Sequence, residues 1–450
     1  MSAFKEKLRQ QNRRWVRLIV VSLRLILGGL FVFSGFVKGI DLYGFIYKIE
    51  EYLAAMDMTM PRSVTLVCGM TIAATEAVSG LLLAIGAYRK AVPVVMGMMM
   101  AVMLPLTGWL FIASPIDDCG CFGDAWILSN GASFLKNIFI TAGVIYLIKY
   151  NKYVRYRLIH HQLQWLVWMG GLLYMVLLSL TCYNVQPMID FRPYPEGSSL
   201  ISQGDETADV KFVYTNGKEN RVFTLGNLPQ SEEWTFVEQI KEDNADIEAD
   251  FAIYDGDEEV TADVIECEGR QMLFVVPEMN RVDLSYTYFV NELYRRCEEN
   301  GIDFVGLLAT TEEGIEWWKD YSMANYDCYS AEDTSLKTLV RGKMAIVYLE
   351  NGVIVWKRTI SSLVENKAWQ NTEVGSDFPN FMAENLHKRL ISRTLWLALW
   401  LFIVWICSVI IRRKTNNSKE SKSSGESKTN EDSVQTEISE SQENSKSEEL

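Results

Sequence analysis

The chain has 450 residues, 49% of them hydrophobic, and a formal net charge of −14. Its near-zero mean hydropathy hides two opposite populations, because long apolar stretches alternate with strongly charged ones. Only three histidines are present and none lies inside an apolar stretch, which excludes a bis-histidine haem in the membrane and disfavours Ser-His or Cys-His catalysis.

Six stretches are long and apolar enough to cross a bilayer as helices. A hydrocarbon core about 30 Å thick takes roughly 20 helical residues, and a lone strand there would leave its backbone groups unpaired. The predicted spans are 15–37, 63–88, 91–113, 131–149, 162–183 and 393–411. No small-x-small cleavage pattern follows the first span, so the basic leader 1–14 is predicted to remain as part of an uncleaved signal anchor.

Basic residues beside the spans predict the orientation, because positively charged loops resist transfer across the membrane. They cluster at alternate ends: Lys5, Lys7, Arg9, Arg13, Arg14; Arg89, Lys90; Lys149, Lys152, Arg155, Arg157; Arg412, Arg413 and Lys414. These ends are predicted to be cytoplasmic, which makes 38–62, 114–130 and 184–392 extracytoplasmic. We therefore expect a multi-pass protein of the inner (cytoplasmic) membrane with both termini in the cytoplasm. The lipid bilayer is an expected partner and nucleic acid is not.

The extracytoplasmic segment 184–392 is long enough for one or two compact domains. Two β-rich runs flank Asn216-Gly217, a pair that favours a tight hairpin, and predict a small β-rich lead-in over 184–248. Strand and helix patterns then alternate over 249–385, which predicts an α/β sheet. The elements in order are "DFAIYD", "QMLFVVPEM", a helix over 284–300, "IDFVGLLATT", a helix over 312–320, and "MAIVYLENGVIVWKRTI". The predicted fold class is thus an α-helical bundle of six transmembrane helices plus an extracytoplasmic α/β domain.

The other segments complete the predicted organisation. Residues 15–150 form a four-helix membrane bundle, 151–183 a cytoplasmic loop with the fifth span, and 393–411 the sixth span. The end, 415–450, is mostly Ser, Glu, Asn and Lys and cannot bury enough apolar surface to fold, so it is predicted to be a disordered, acidic cytoplasmic tail.

The eight cysteines divide by predicted topology. Cys68 and Cys407 lie within spans, and the other six lie on or beside the extracytoplasmic side: Cys119, Cys121, Cys182, Cys267, Cys297 and Cys328. Outside the cytoplasm thiols tend to be paired, redox-active or metal-bound. No metal site is predicted, because a site built on thiolates usually takes four ligands from Cys or His. No histidine lies near Cys119 and Cys121 in the sequence.

Cys119-Gly120-Cys121 is the candidate redox pair. Two cysteines one residue apart can close a small, strained disulfide, and strained disulfides are easier to reduce, which favours exchange chemistry. The preceding Asp117 and Asp118 oppose this, since nearby negative charge raises the pKa of a thiol. The alternative is a structural role, in which the two cysteines pair with each other or with Cys182.

Charged residues inside the predicted spans suggest a second site. Arg24 and Glu76 both lie about 13–17 Å from the cytoplasmic ends of their spans, so an ion pair between them is predicted. It would serve a proton or quinone site, or simply fix the helix register. Lys38 is predicted to extend its ammonium group to the interface, and the methionines at 96, 98, 99, 100 and 103 are interpreted as packing.

Three motifs carry a resemblance to a known family: "RLILGGLFVFSGFVKGIDLYGF" with Arg24 and Lys38, "ATEAVSGLLLAIGAYRK" with Glu76, and "DCGCFGDAW" followed by Lys136-Asn137. Residues 18–150 resemble the DoxX-like superfamily. Within it they resemble the MauE-type membrane proteins of methylamine utilisation, which are associated with disulfide formation in methylamine dehydrogenase maturation. The resemblance implies a four-helix bundle and a role in extracytoplasmic thiol or electron chemistry.

The segment 249–365 resembles the thioredoxin-like fold of membrane-tethered thiol reductases, in "NELYRRCEENGIDFVGLLATT" and "RGKMAIVYLENGVIV". The resemblance places Asn280 and Asp283 where that family has its Cys-x-x-Cys pair, and Met344 where it has a cis-proline. It therefore implies a redox-degenerate periplasmic domain that binds a partner. The spacings of Cys267, Cys297 and Cys328 match no redox motif.

The leading functional hypothesis is thiol–disulfide or electron-transfer chemistry on exported client proteins or a thiol-redox partner. The protein would be an oxidoreductase or an accessory factor, with Cys119 and Cys121 as the exchange pair. One alternative is a non-enzymatic, membrane-anchored binding or assembly protein with a structural disulfide. Another is a subunit of a quinone-linked oxidase, which rests on family analogy alone and makes a quinone the one cofactor under consideration.

Overall fold

The computed structural model describes residues 2–116, 118–150, 158–200, 211–215, 220–224, 235–240, 251–266, 268–365 and 378–415. Several sequence features lie outside these described residues. They are the predicted hairpin turn at Asn216-Gly217, Asp117, Cys267, the basic loop 151–157 and the tail from 416 onward.

Six helices within the described residues are long and apolar enough to cross a membrane, which confirms the predicted spans. The chain is therefore a multi-pass membrane protein. Its first six helices are α1 (Ser2–Ile40), α2 (Leu42–Ala55), α3 (Arg62–Ile85), α4 (Ala91–Ala113), α5 (Asn130–Tyr150) and α6 (Gln164–Asn184). All of these except α2 contain a span, and the sixth span is the last helix of the chain, Leu386–Thr415.

Helix α2 is a short amphipathic helix between the first two spans, which the sequence pattern did not predict. Asp41 caps it by accepting a hydrogen bond from the backbone N–H of Gly44 at 2.9 Å. Leu42, Phe45 and Ile46 are buried. With fourteen residues α2 is too short to span a bilayer. It covers one end of the bundle, and this end also carries the sheet domain.

Helices α1 and α3 cross at very close range because both present small residues. A Cβ atom on Gly35 would lie 2.5 Å from the carbonyl oxygen of Ala73, and one on Gly80 would lie 2.6 Å from the backbone nitrogen of Val32. Small residues permit this kind of backbone approach between membrane helices. The close crossing brings the polar side chains of α1 and α3 together inside the bundle.

Replacing Gly35 with leucine is expected to separate α1 from α3 and to destabilise the bundle by about 3 kcal/mol, since backbone atoms cannot give way as a flexible side chain can. Thermal unfolding in detergent measures this. Gly29→Leu is the matched control, because a Cβ at Gly29 meets no atom within 4 Å. Equal melting temperatures for the two variants would contradict the close crossing.

Between α6 and the last span, the residues that the structure describes form two sheets. A three-stranded antiparallel sheet has the order β2-β1-β3 and a seven-stranded sheet has the order β10-β9-β6-β7-β8-β4-β5. The strands are β1 (Lys211–Thr215), β2 (Asn220–Thr224), β3 (Thr235–Ile240), β4 (Ile253–Asp255), β5 (Glu258–Glu259), β6 (Arg270–Val276), β7 (Asp303–Leu308), β8 (Asp327–Ala331), β9 (Ala345–Glu350) and β10 (Val353–Thr359). We call the unit built on the seven-stranded sheet the sheet domain.

Short helices lie between the strands of the sheet domain, and two more lie between its last strand and the sixth span. They are α7 (Thr261–Val264), α8 (Thr287–Glu299), α9 (Glu312–Ser322), α10 (Asp333–Leu339), α11 (Ile360–Val364) and α12 (Phe378–Met382), after which α13 (Leu386–Thr415) is the sixth span. Strands β6, β7 and β8 run parallel, whereas β9 is antiparallel to β6 and to β10. The predicted mixed strand-helix order is thus confirmed, with β8 and α10 as elements that the pattern did not reveal.

Two apolar clusters cover the two faces of the sheet. Phe274, Leu293 and Trp318 belong to one, and Leu273, Val305 and Leu336 to the other. Alternate residues of a strand point to opposite faces, so a strand buried on both sides, such as β6, is apolar throughout. This explains why "QMLFVV" was readable as a buried strand.

Candidate functional site: the Cys-Gly-Cys loop and its surroundings

The cysteine pair lies in the loop 114–129 between α4 and α5, which we call the dithiol loop. A backbone bridge between Asp118 and Ser129 closes this loop. Gly120 has φ +60°, a conformation that residues with a Cβ rarely adopt, and this lets the chain turn between the cysteines. The Ser34 hydroxyl of α1 donates to the carbonyl oxygen of Cys121 at 2.8 Å, and the Tyr52 hydroxyl of α2 donates to that of Cys119. Side chains of the bundle therefore fix the backbone on both sides of the pair.

The two sulfur atoms lie 2.6 Å apart and both cysteines are free thiols. Cys119 is buried, whereas Cys121 is partly exposed. The hydrogen bond between the sulfurs, followed by burial, raises the pKa of Cys119 well above its usual range. The same hydrogen bond lowers the pKa of Cys121 to about 6; burial opposes this, and the positive charges of Lys136 and Lys38 support it. The pair is therefore asymmetric, and Cys121 ionises more readily than Cys119.

Asp118 does not face the thiols as the sequence order suggested. Its carboxylate accepts a hydrogen bond from Lys48 of α2 at 2.8 Å and another from the backbone N–H of Gly120 at 2.9 Å. The ion pair neutralises a charge that would otherwise disfavour a thiolate nearby. Lys48 of α2 thus offsets the effect that Asp118 was expected to have against thiolate formation. Asp117 lies outside the described residues.

A small cavity of about 40 Å³ lies behind Cys121 within the bundle. Its polar lining comes from three spans: Ser34 and Lys38 of α1, Glu76 of α3, and Lys136 and Asn137 of α5. Lys38 donates to Glu76 at 2.6 Å and to the Ser34 hydroxyl at 3.0 Å. Because Ser34 also binds the Cys121 carbonyl, one chain of hydrogen bonds connects the buried ion pair to the dithiol loop.

The predicted ion pair between Arg24 and Glu76 is wrong. Glu76 pairs with Lys38, and Arg24 instead donates to the carbonyl oxygen of Leu83 at 3.1 Å. Leu83 lies seven residues from Glu76 along α3, or about 10 Å at 1.5 Å per residue. The depth count failed because α1 runs on into the basic leader, so the first apolar residue does not mark the end of the helix. Lys38 does not reach for the interface either, since it is only 2% exposed.

Lys136 is the second cation beside Cys121. Its ammonium group lies over the ring of Phe122 at 4.0 Å from the centroid, and the residue is half-buried. Among the described residues no carboxylate forms an ion pair with it. No signal in a single sequence distinguishes such a lysine from an ordinary flanking lysine, apart from the "Lys136-Asn137" match noted above.

The cavity does not fit a quinone. Ligand pockets for organic cofactors usually measure roughly 300–1,000 Å³, whereas this space of about 40 Å³ holds a few water molecules at most. Within the part of the chain that the structure describes, no three His, Cys, Asp or Glu side chains converge on a metal-sized position.

The sheet domain is bound to the same end of the bundle by Arg341, which lies between α10 and β9. Arg341 Nη2 contacts Asp41 at the start of α2 and Asp124 of the dithiol loop, each at 2.7 Å. Its backbone N–H donates to the Gln186 side chain at 3.0 Å, and the Gln186 amide returns a bond to its carbonyl at 2.7 Å. One guanidinium thus joins the sheet domain, α2 and the dithiol loop.

The electrostatics of this junction are those of a buried ion network. Burial alone would raise the pKa of Asp41, but the charge and hydrogen bonds of Arg341 outweigh it and hold that pKa at about 2. Asp124 has a raised pKa, because its partial desolvation at the junction and the neighbouring Asp41 together exceed the effect of Arg341, although its side chain is still 41% exposed. A second contact joins Arg62 of α3 to Glu278 of the sheet domain at 3.2 Å.

A crevice of about 630 Å³ separates α2 from the sheet domain. On the domain side it is lined by residues that follow the carboxyl ends of β6, β7 and β8, including Asn280, Ala309 and Thr334. On the bundle side it is lined by α2, including Glu51, whose carboxylate pairs with Lys48 at 2.8 Å. Open parallel sheets commonly bind ligands at this edge.

The other residues singled out in the sequence lie apart from the dithiol. Asp283 is half-buried and accepts hydrogen bonds from the backbone N–H and the hydroxyl of Ser285, while Met344 is buried just before β9. Cys182 is buried in the bundle core, and Cys297 and Cys328 are buried in the sheet domain. None of these three forms a disulfide with Cys119 or Cys121, since all are free thiols. Cys267 lies outside the described residues.

A comparison with protein families matches the N-terminal part of the chain. Residues 16–150 match the family model described as "Methylamine utilisation protein MauE". The matched range contains the first four spans, α2 and the dithiol loop, and it ends before the sheet domain. No curated protein and no solved structure matches the chain.

Proposed function

We propose that the protein carries out thiol–disulfide exchange with exported proteins through Cys119 and Cys121. The observation that supports this most directly is the geometry of the cysteine pair. The two free thiols lie 2.6 Å apart, and the pKa of Cys121 is lowered to about 6 while that of Cys119 is raised. A thiolate is the nucleophile in exchange, so a partly exposed, low-pKa thiol beside a buried one suits this reaction. Cys121 is the exchange cysteine and Cys119 the resolving one.

The reaction balances without a further reagent. The Cys121 thiolate attacks one sulfur of a client disulfide, so that a mixed disulfide forms and the other client sulfur leaves as a thiolate. Cys119 then transfers its proton to that thiolate, and its sulfur attacks Cys121 and releases the second client sulfur. Two electrons pass from the pair to the client, and the reverse sequence oxidises a client dithiol.

The sheet domain acts in this proposal as the client platform. Its order β9-β6-β7-β8, with β6, β7 and β8 parallel and β9 antiparallel, supports the thioredoxin-like assignment. Asn280 occupies the edge where that fold has its cysteines, which supports binding without exchange. The crevice opens beside α2, whose Lys48 and Tyr52 hold the dithiol loop, so a client bound there lies close to the pair.

The location follows from the same proposal. The Lys and Arg clusters beside the spans support a cytoplasmic location of both termini, in which case the dithiol loop and the sheet domain face the periplasm or exterior, where disulfides persist. The match of residues 16–150 to a MauE model supports an accessory role in the maturation of exported proteins, of the methylamine utilisation type.

Single cysteine variants test the exchange. Cys119→Ser is expected to accumulate mixed disulfides with exported proteins, because Cys121 still attacks and nothing resolves the product. Cys121→Ser should trap none. Non-reducing gels and mass spectrometry of membranes quenched with acid and alkylated detect the adducts. Cys328→Ser is the matched control, since that thiol is buried in the sheet domain.

The pH profile gives an independent measurement on the reduced protein. Alkylation of Cys121 by iodoacetamide should reach half its maximal rate near pH 6, whereas an ordinary thiol does so near pH 8.5. A pair that stays oxidised under mild reductant, with no adducts in Cys119→Ser, would contradict exchange. It would instead favour a membrane-anchored assembly protein with a structural disulfide.

A further inference from the structure

The charges around the cavity behind Cys121 do not cancel. Lys38 and Glu76 form a close ion pair and neutralise each other. Lys136 lines the same cavity and is paired with no carboxylate among the described residues. Met100 and Met103 of α4 complete the wall without charge. The described lining therefore carries one net positive charge, and Cys121 is its one thiol.

Lys136 is half-buried, and a charge that is partly removed from water is less stable unless an opposite charge lies beside it. When Cys121 is bonded to Cys119 it is neutral, and Lys136 has only the face of Phe122 as compensation. When the disulfide opens and Cys121 becomes a thiolate, the charges of the cavity sum to zero. Opening the disulfide thus relieves an electrostatic penalty within the bundle.

We propose that this cavity is a counter-charge site for Cys121, in which Lys136 is the positioning residue that stabilises the reduced pair. The inference rests on the proposed exchange reaction and adds its direction. A pair whose reduced form is stabilised is the more oxidising one. Exchange then runs towards oxidation of a client dithiol.

In that direction a client thiol attacks Cys121, and Cys119 leaves and takes up the proton of the attacking thiol. The second client thiol then attacks the first client sulfur. The client disulfide forms, Cys121 leaves as a thiolate beside Lys136, and one proton passes to solvent. The client loses two electrons and the pair gains them.

The groups that face the pair come from each element packed against it. Lys38 of α1 and Lys136 of α5 favour the Cys121 thiolate, and Glu76 of α3 opposes it. Within the loop, Cys119 and Cys121 share a hydrogen bond between their sulfur atoms. Lys48 of α2 forms an ion pair with Asp118 of the loop, and the hydroxyl of Tyr52 of α2 donates to the carbonyl oxygen of Cys119. Helix α4 contributes only methionines to the cavity wall.

The test is the equilibrium of the purified full chain with glutathione redox buffers at pH 7, measured by alkylation and mass spectrometry. Lys136→Met should lower the equilibrium constant for reduction of the pair roughly tenfold, about 30 mV. Lys136→Arg should restore most of it. The difference between wild type and Lys136→Met should vanish at pH 5, where the Cys121 thiolate is protonated in both. Packing loss alone would not produce that pH dependence.

Two further variants separate charge from general disturbance. Lys149→Met removes a lysine from the other end of the same helix, where it lies over Tyr150, and should not change the constant. The double variant Lys38→Met, Glu76→Gln keeps the net charge and should change it threefold at most. An unchanged constant in Lys136→Met, or a larger change in the double variant, would overturn the counter-charge site. Neither result affects the mixed disulfides of Cys119→Ser, which test exchange itself.

Discussion

Arg341→Ala is expected to lower the free energy of unfolding by about 3–5 kcal/mol, because it leaves carboxylates without their cation at the junction of sheet domain and bundle. Most of the loss comes from Asp41, whose side chain is 11% exposed. Asp124 contributes little, since its side chain is 41% exposed and water screens its charge. Thermal unfolding in detergent and limited proteolysis of the sheet domain measure the effect.

The control variants separate the ion network from the loss of a side chain. Arg341→Lys keeps the positive charge, but a single ammonium group cannot reproduce the planar guanidinium contacts to both the Asp41 and the Asp124 carboxylate. It should therefore recover only part of the stability. Asp41→Asn in the Arg341→Ala background should recover part as well, because it removes the stranded charge. Arg295→Ala breaks surface pairs on α8 and should leave the melting temperature unchanged. A melting temperature of Arg341→Ala equal to that of Arg295→Ala would contradict the junction.

The same junction predicts a pH dependence of stability. Asp41 has a folded-state pKa of about 2 against an ordinary value of 3.8. A depressed pKa contributes stability that is complete above the ordinary value and is lost as the pH falls from 3.8 towards 2. The contribution of Asp41 to docking of the sheet domain should therefore be constant at neutral pH and weaken in this acidic window.

Much of the fold was predictable because the membrane and the sheet impose strong periodic patterns. Continuous apolar runs gave the six spans, and the buried strands β6, β7 and β9 were apolar at nearly every position. Strand β8 was missed because "DCYSA" is half polar and only partly buried. Helix α2 was missed because its stabilisation comes from packing on the bundle end, which local sequence does not show.

The contact between the two thiols of the candidate site could be predicted from the sequence, whereas the ion-pair partners of its charged residues could not. Only Gly120 separates Cys119 from Cys121 in the sequence, so their contact needed no tertiary information. The partners of Glu76, Asp118 and Asp124 are Lys38, Lys48 and Arg341, which are 38, 70 and 217 positions away. Helix register and domain docking decide such contacts, and depth counting along ideal helices was wrong by about two turns at Arg24.

Breaking the Lys38–Glu76 pair from one side is expected to cost about 3–5 kcal/mol, since the remaining charge stays buried between α1 and α3. Lys38→Met leaves a carboxylate and Glu76→Gln leaves an ammonium group. The double variant leaves neither and should lie within about 1 kcal/mol of the wild type, because replacing both members of a buried pair is often neutral. Unfolding in mixed micelles with a double-mutant cycle yields the coupling energy.

The coupling of Arg24 with Glu76 is the decisive comparison. Counting residues from the helix ends predicted that these two residues pair, whereas in the structure they do not. Arg24→Met and Glu76→Gln should be additive, since Arg24 binds the carbonyl of Leu83 about 10 Å away along α3. Strong coupling between Arg24 and Glu76, with additivity between Lys38 and Glu76, would show the helix register to be wrong. It would also remove Lys38 from the cavity behind Cys121, and with it the charge balance that assigns Lys136 its role.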